Sequence, residues 1–141
     1  MRRYLLDTTI LAAFLLGRRR VQQAIGPWIE DDQAATRILV YGEVVEYLQG
    51  RSDTSRRQET LRELLQYVPP YVPTLDILDQ YAAIRRLLRP PSGPGLIGDI
   101  DTIIAATALV HGLTVVSTDS DFVRVPRLLV MAVDRADLRG S

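Results

Sequence analysis

The stretch GDIDTIIAATALVHGLTVVSTDSDF, residues 98–122, decides the fold. Two acidic residues, Asp99 and Asp101, open it, and the residues that follow up to His111 are apolar nearly all round. That pattern predicts a central, buried helix over residues 99–111. Gly112 comes next, and TVVS at 114–117 has the short β-branched character of a buried strand. An acidic turn over residues 118–122 is expected to follow this strand.

Outward from this stretch, short apolar runs alternate with segments of helical spacing. Strands are predicted over residues 3–6, 36–40 (TRILV) and 128–133, with a short extended piece over 71–72. Helices are predicted over residues 10–16, opened by Thr8 or Thr9, and over 21–30, 41–48, 58–67 and 76–89, with a loop over 90–98. The alternation predicts an α/β fold with a short, mainly parallel sheet of four or five strands, covered by helices on both faces. The length of 141 residues suits a single domain, 1–141.

Composition excludes several kinds of chemistry. All 17 basic residues are arginine, which removes phosphate-loop NTPases and Schiff-base enzymes because both need a lysine. The chain has no cysteine, so thiolate zinc sites and cysteine nucleophiles are excluded as well. His111 is the single histidine, and we expect it to interact with carbonyl groups at a helix C-terminus. Any catalysis must therefore rest on carboxylates, hydroxyls, arginine or a bound metal.

The N-terminal residues show no targeting signal. Met1, Arg2 and Arg3 precede an apolar run, but Asp7 interrupts that run and no small-residue cleavage site follows. The apolar run at residues 10–16 is far shorter than the ~20 residues of a membrane span. We therefore expect a cytoplasmic protein that does not enter a membrane.

Several carboxylates fall at predicted strand ends. Asp7 ends the first strand, Asp119 follows TVVS, and Glu43 lies in the first turn of the helix after the second strand. Because the carboxyl ends of parallel strands share one edge, these acids and those that begin the buried helix should lie on one rim. Such a cluster repels itself unless it is protonated or holds a cation. Oxygen ligands suit Mg²⁺ or Mn²⁺, and the chemistry they support is phosphoryl transfer.

Each acid also has a purely structural interpretation. Asp7, Asp99, Asp119 and Asp121 can each cap a helix, and Asp101 can simply favour the helix dipole. Glu46, three residues after Glu43, is more typical of a solvated helix position. The joint placement at strand ends, rather than any one residue, favours a metal site.

Three segments resemble the PIN-domain ribonucleases, and within them the small VapC-like toxins of toxin–antitoxin pairs. YLLDTTIL resembles the first strand of that family with its catalytic acid and neighbouring hydroxyl, here Asp7 and Thr8. VYGEVVEYLQG resembles the segment that carries the family's glutamate, here Glu43. In residues 98–122 the D-x-x-I-A-A spacing makes Asp101 the third acid, although helix geometry alone also allows Asp99. The end of the same stretch supplies three further matches, Ser117, Asp119 and Asp121.

The resemblance covers the whole chain and implies a PIN-like three-layer α/β/α sandwich. It also implies a Mg²⁺- or Mn²⁺-dependent endoribonuclease that works as a homodimer and is blocked by an antitoxin protein. The catalytic residues would be Asp7, Glu43, Asp101 and Asp119, and the metal ligands Asp7, Asp101, Asp119 and Asp121. Thr8 and Ser117 would support them by hydrogen bonding, with Asp99 nearby. Cleavage by water would leave a 5′-phosphate and a 3′-hydroxyl.

RNA affinity usually needs basic residues along the phosphates. The candidates are Arg18, Arg19 and Arg20 after the first helix, and Arg51 in the polar turn RSDTSRR. The net charge of zero argues for local patches and modest affinity. Other functions remain open at this point. One is a catalytically silent PIN-like module that binds RNA or protein, and another is a phosphorelay receiver-like domain, which the lack of lysine disfavours. A different phosphohydrolase or a DNA-directed nuclease also remains open, because the sequence shows no reader of the 2′-hydroxyl.

Overall fold

A computed structural model of the chain describes residues 2–139. Within that range the strands are β1 (Tyr4–Leu6), β2 (Ala34–Arg37), β3 (Pro70–Tyr71), β4 (Thr114–Ser117) and β5 (Leu129–Ala132). The α-helices are α1 (Thr8–Leu15), α2 (Arg19–Glu30), α3 (Leu39–Leu48), α4 (Thr54–Leu64), α5 (Leu75–Leu88) and α6 (Asp99–His111). Two short 3-10 helices, Ser120–Arg124 and Arg135–Leu138, flank β5.

The five strands form one sheet in the order β3-β2-β1-β4-β5. Every neighbouring pair is parallel, and Tyr4 of the central strand pairs with Ala34 on one side and with Thr114 on the other. The predicted α/β fold is therefore confirmed, with five strands and an all-parallel sheet. Strands β1 and β4, far apart in sequence, become neighbours, so their carboxyl ends meet.

Alternate residues of the strands feed two separate cores. Leu5 and Val115 face one side and pack with the buried residues of α5 and α6. Leu6 and Val116 face the other side and pack with buried residues of α1 to α4. This two-residue alternation is the geometry of a strand buried on both faces. The result is a three-layer sandwich with helices above and below the sheet.

Helix α6 has the bounds that the sequence predicts, Asp99–His111. Its residues Thr102 and Ile104 to Ala108 are buried, and it packs chiefly against α5. Gly112 ends the helix with a φ of 66°, a left-handed conformation that glycine adopts without steric penalty. No helix in the described part of the chain has the length and apolar character needed to cross a membrane.

The prediction for the second strand is wrong in position. The strand covers Ala34–Arg37 rather than residues 36–40, and α3 already begins at Leu39. Alanine has a low strand propensity, which hides the first half of β2 in the sequence. Val40, Val44 and Leu48 are buried at a spacing of four residues, so the apolar run after Arg37 belongs to a helix.

Several helix starts also differ from the predictions: α2 begins at Arg19 instead of residue 21, and α3 at Leu39 instead of residue 41. Helix α1 begins at Thr8, one of the two threonines predicted to open it, and the Asp7 side chain accepts a hydrogen bond from the Thr8 amide. Helix α4 begins at Thr54 instead of residue 58 and ends at Leu64. The Thr54 hydroxyl donates to the carbonyl of Leu48, 2.7 Å away, and thereby ties the start of α4 to the end of α3.

Candidate active site

The carboxyl edge of the sheet carries the acidic residues. Asp7 follows β1 directly, and Asp119 follows β4 after one intervening residue. Helix α6, which begins with Asp99, precedes β4 in the chain, and α3 follows β2. We call five carboxylates of this region the acidic cluster: Asp7, Glu43, Asp101, Asp119 and Asp121.

Ser117, the last residue of β4, links two members of the acidic cluster. Its Oγ donates a hydrogen bond to Asp7 Oδ2 at 2.7 Å and accepts one from the backbone amide of Asp119 at 3.0 Å. The residue is fully buried, with 0% exposure. Because Ser117 bonds to both residues, it fixes the side chain of Asp7 relative to the backbone of Asp119.

Asp7 and Asp119 also have the capping roles that the sequence allows. Asp7 Oδ1 accepts from the amide of Thr8 at 2.8 Å. Asp119 Oδ1 accepts from the amide of Asp121 at 2.9 Å, at the start of a 3-10 helix. In each case one carboxylate oxygen is held by a backbone amide, so the cap orients the carboxylate.

Three of the carboxylates can reach one point. Asp101, Asp119 and Asp121 each offer an oxygen, and these oxygens lie within 4.8 Å of one another. Burial, above all, raises the pKa of Asp101 to about 7, helped by the hydrogen bond and the negative charge of Asp119 and by the charge of Asp7. Without a cation, the local repulsion therefore favours a proton on Asp101.

The donor set suits a hard divalent cation. All three side chains offer carboxylate oxygens, and all are partly exposed, so an ion could enter from solvent. Mg²⁺ and Mn²⁺ prefer such ligands and retain waters in the remaining positions. A cation would also remove the repulsion that raises the pKa of Asp101.

Glu43, in the first half of α3, is held by two donors. Thr8 Oγ1 donates to Glu43 Oε1 at 2.9 Å, and Arg37 Nη2 donates to the same oxygen. Oε2 has no hydrogen-bond partner among the described residues, and the side chain is 36% exposed. Glu43 is therefore fixed through one oxygen and presents the other for further contacts.

Asp99 lies outside the acidic cluster. Its Oδ1 accepts from the Tyr81 hydroxyl at 3.1 Å and from Arg85 Nη1 at 2.6 Å, both on α5. Asp101, two residues later in α6, instead interacts with Asp119 and Asp7. Of the two acids that helix geometry allows, the structure brings only Asp101 to the other carboxylates.

The four arginines predicted to bind RNA have different surroundings. Arg18 lines a cleft of about 410 Å³ together with Thr8 and Glu43. Arg20 forms an ion pair with Asp137 at 2.8 Å. Arg19 and Arg51 are exposed. Only Arg18 thus lies in the same cleft as a member of the acidic cluster.

Arg37 is the residue that sequence reasoning misses. It ends β2, is 3% exposed, and pairs with Glu43. Its Nε and Nη1 atoms are buried and have no hydrogen-bond partner among the described residues. The signal was present in the sequence, since an arginine interrupts the apolar run TRILV six residues before Glu43.

His111 is remote from the acids. It ends α6, whereas Asp101 lies in the first turn, and ten residues of helix span about 15 Å. The imidazole stacks on the ring of Tyr71, with ring centroids 4.0 Å apart. The imidazole is therefore not placed to serve as an acid or base for the acidic cluster.

Comparison with known proteins gives a family match that covers most of the chain. A family model described as the PIN domain matches residues 4–128. That match includes every member of the acidic cluster and also Ser117. No curated protein sequence matches the chain.

Solved structures share the fold at low sequence identity. A chain of VapBC2 from Rickettsia felis, bound to a DNA fragment from its promoter, has a TM-score of 0.77 and 19% identity, covering 93% of this chain and 98% of its own. DNA-bound VapBC from Salmonella typhimurium gives 0.77 and 16%, covering 94% and 98%. A toxin–antitoxin complex from Klebsiella pneumoniae gives 0.72 and 23%, covering 93% and 98%.

Proposed function

The chain belongs to the PIN domain family, and on that premise we propose that it is a divalent-metal-dependent endoribonuclease and the toxin of a VapBC-like toxin–antitoxin pair. One observation carries the proposal. Three carboxylates from α6 and from the turn after β4 offer oxygens within 4.8 Å of one another. A fourth, Asp7, is tied to the backbone of Asp119 through Ser117.

Asp101, Asp119 and Asp121, with Asp7 beside them, would hold Mg²⁺ or Mn²⁺. Bound there, the ion would activate water and stabilise the negative charge that develops on a phosphodiester during hydrolysis. The hydrogen bonds of Asp7 and Asp119 are already made to backbone amides and to Ser117. These carboxylates therefore need little rearrangement to act as ligands.

Glu43 would act as a proton or hydrogen-bond acceptor next to the proposed metal site. Thr8 and Arg37 bind its Oε1, which leaves Oε2 to accept a proton or a hydrogen bond from the attacking water. Thr8 thus supports Glu43, while Ser117 supports Asp7.

The cleft beside Glu43 is the expected path of the RNA strand. It has a volume of about 410 Å³, and Arg18 lies in its wall. A guanidinium there would contact a phosphate close to the acidic cluster. Arg19, Arg20 and Arg51 would extend the contact along the backbone of the RNA.

The residues present favour attack by water over attack by the ribose 2′-hydroxyl. The 2′-hydroxyl route uses a general base and a general acid close to the phosphate. The chain has no lysine, and its single histidine stacks on Tyr71 at the far end of α6. Hydrolysis at the acidic cluster would leave a 5′-phosphate and a 3′-hydroxyl.

The proposed partners are an antitoxin protein and a second copy of this chain. Support for the antitoxin comes from the shared fold with chains of VapBC complexes from Rickettsia felis and Salmonella typhimurium. Co-expression with the protein encoded next to it tests this part, since an antitoxin should co-purify and suppress cleavage. Light scattering of the purified chain should give twice the mass of 15.8 kDa.

Cleavage of total cellular RNA tests the nuclease. The wild type, Asp7→Asn and Asp101→Asn are incubated with Mg²⁺, with Mn²⁺ and with EDTA, and cut ends are mapped by sequencing. Asp53→Asn is the matched control, because Asp53 pairs with Arg57 at the start of α4, outside the acidic cluster. The proposal expects cuts by the wild type and by Asp53→Asn that vanish in EDTA and in both other variants.

Other outcomes would contradict the proposal. Cutting that persists in Asp7→Asn and Asp101→Asn would mean that another nuclease is present or that the acids are wrongly assigned. RNA that is bound but never cut would favour a catalytically silent PIN-like binding module instead.

A further inference from the structure

Arg37 is an unusual residue for its position. Its side chain is 4% exposed and lies at the end of β2, a strand in which every residue is buried. Burying a guanidinium is costly unless it is paired and its donors are satisfied. Here one donor, Nη2, reaches Glu43, while Nε and Nη1 have no partner among the described residues.

The charge of Arg37 lies beside the acidic cluster. Its Nη2 pairs with Glu43 Oε1, and the same oxygen accepts from the hydroxyl of Thr8, the residue that follows Asp7. The guanidinium therefore offsets part of the negative charge of the acidic cluster. It is a permanent cation, because arginine does not lose its proton in proteins.

The charges of the region favour a single ion. The acidic cluster carries five carboxylates, and two guanidinium groups form ion pairs with it: Arg37 with Glu43, and Arg124 at 3.6 Å from Asp121 Oδ1. Three negative charges remain when all five carboxylates are ionised. One divalent cation offsets two of them, whereas a second would leave an excess of positive charge.

The positions of the carboxylate oxygens also favour a single ion. The three oxygens within 4.8 Å of one another come from Asp101, Asp119 and Asp121, and Glu43 is not among them. Glu43 Oε1 already accepts from Arg37 and from Thr8. An ion at Glu43 would have to compete with a buried guanidinium for the same carboxylate.

From these contacts we infer that Arg37 occupies the cation position at the Glu43 side of the acidic cluster, so that the chain binds one divalent ion and Arg37 positions Glu43. The inference rests on the proposed metal site and specifies its stoichiometry. Arg37 is a positioning residue, since it acts on the reaction through Glu43.

Counting bound Mn²⁺ by electron paramagnetic resonance tests the inference without any nuclease assay. The wild type should bind one Mn²⁺ per chain. In Arg37→Gln, Glu43 loses its counter-charge, and a second, weaker Mn²⁺ should bind. The double variant Arg37→Gln/Glu43→Gln should return to one ion, and Arg37→Lys should stay at one because the charge is kept.

Two further variants keep the test interpretable. Glu43→Gln alone should still bind one Mn²⁺ with a Kd within about twofold of the wild type. This variant tests the inference even if Arg37→Gln does not fold. Arg57→Gln is the matched control, because it breaks another arginine–carboxylate pair, with Asp53, on α4. It should leave the Mn²⁺ count and Kd unchanged.

Kinetics supply an independent readout. Loss of positioning should lower kcat of Arg37→Gln about tenfold or more with KM nearly unchanged, and Arg37→Lys should recover part of it. Two ions in the wild type, loss of the ion in Glu43→Gln, or one ion with unchanged kcat in Arg37→Gln would each overturn the inference. The first of these would leave the proposed nuclease intact, whereas no Mn²⁺ binding by the wild type would overturn both.

Discussion

Ser117 Oγ donates a hydrogen bond to Asp7 Oδ2 at 2.7 Å and so joins the ends of β4 and β1, which lie 110 residues apart in sequence. The same oxygen accepts from the Asp119 amide. One buried hydroxyl therefore holds acids from two neighbouring strands in register. The arrangement depends on the parallel pairing of β1 with β4, which places both strand ends at the same edge.

Removing this hydroxyl should impair activity more than folding. In Ser117→Ala, Asp7 loses one of its donors and the Asp119 amide loses its acceptor, at a cost of about 1–2 kcal/mol in the free energy of unfolding. We expect kcat to fall by about tenfold or more. Urea unfolding and RNA cleavage measure the two effects.

A buried hydroxyl elsewhere supplies the control for this experiment. Thr107 Oγ1 donates to the Ile103 carbonyl within α6, at 2.7 Å. Thr107→Val removes that hydroxyl and preserves the side-chain shape, so it should change stability slightly and leave kcat unaltered. Equal losses of kcat in Thr107→Val and Ser117→Ala would contradict a specific role for Ser117.

The two acids that begin α6 should differ sharply. Asp99 bonds to Tyr81 and Arg85, away from the acidic cluster, so Asp99→Asn should keep cleavage within about threefold of the wild type. Asp101→Asn should abolish cleavage, because it replaces a charged carboxylate of the proposed metal site by a neutral amide. Cleavage rates of the two purified variants under the same Mg²⁺ concentration decide the matter, and the reverse order would overturn the assignment.

Stability of the metal-free protein should depend on the charge of Asp101. Burial and the neighbouring carboxylates raise its pKa from an ordinary 3.8 to about 7. Between these values the folded state binds a proton that the unfolded state lacks, so the free energy of unfolding should fall as pH rises from about 4 to about 7. Denaturant unfolding in EDTA at several pH values measures this slope.

Asp101→Asn serves as the control for the pH dependence, since an amide does not titrate. The slope should be smaller in this variant than in the wild type. In the wild type, Mn²⁺ competes with the proton on Asp101. The affinity for Mn²⁺ should therefore rise with pH up to about 7. Identical slopes in the two proteins would contradict the raised pKa.

Arg18 should contribute to RNA affinity through a phosphate. It lines the cleft that also contains Glu43. In Arg18→Gln, RNA binding measured in EDTA should weaken for all sequences alike, and the slope of log K against log salt should shrink by about 0.7. Arg86→Gln, an exposed change on α5 in the opposite layer, should alter neither quantity.

Much of the fold could be predicted from sequence because its signals are local. The bounds of α6 and β4 were predictable since an all-apolar helix, a glycine stop and a β-branched strand follow one another in residues 98–117. The bounds of β2 were not, because Ala34 and Ala35 have little strand propensity and are held by tertiary burial alone.

The candidate site could be predicted in its acids but not in its internal contacts. The positions of Asp7, Asp101 and Asp119 at element ends follow from the topology of a parallel sheet. The pairing of Arg37 with Glu43 depends on where β2 ends and α3 begins. The prediction from sequence placed this boundary incorrectly. The same limit applied to Asp99 and Asp101, because only the packing of α5 against α6 separates their surroundings.

The chemistry of the cut ends tests the central claim most directly. RNA cleaved by the wild type in Mg²⁺ is ligated to adapters that require a 5′-phosphate, before and after treatment with a polynucleotide kinase. Hydrolysis by water at the acidic cluster predicts 5′-phosphate and 3′-hydroxyl ends that ligate without the kinase and disappear in Asp101→Asn. Ends carrying a 5′-hydroxyl and a 2′,3′-cyclic phosphate would contradict the account.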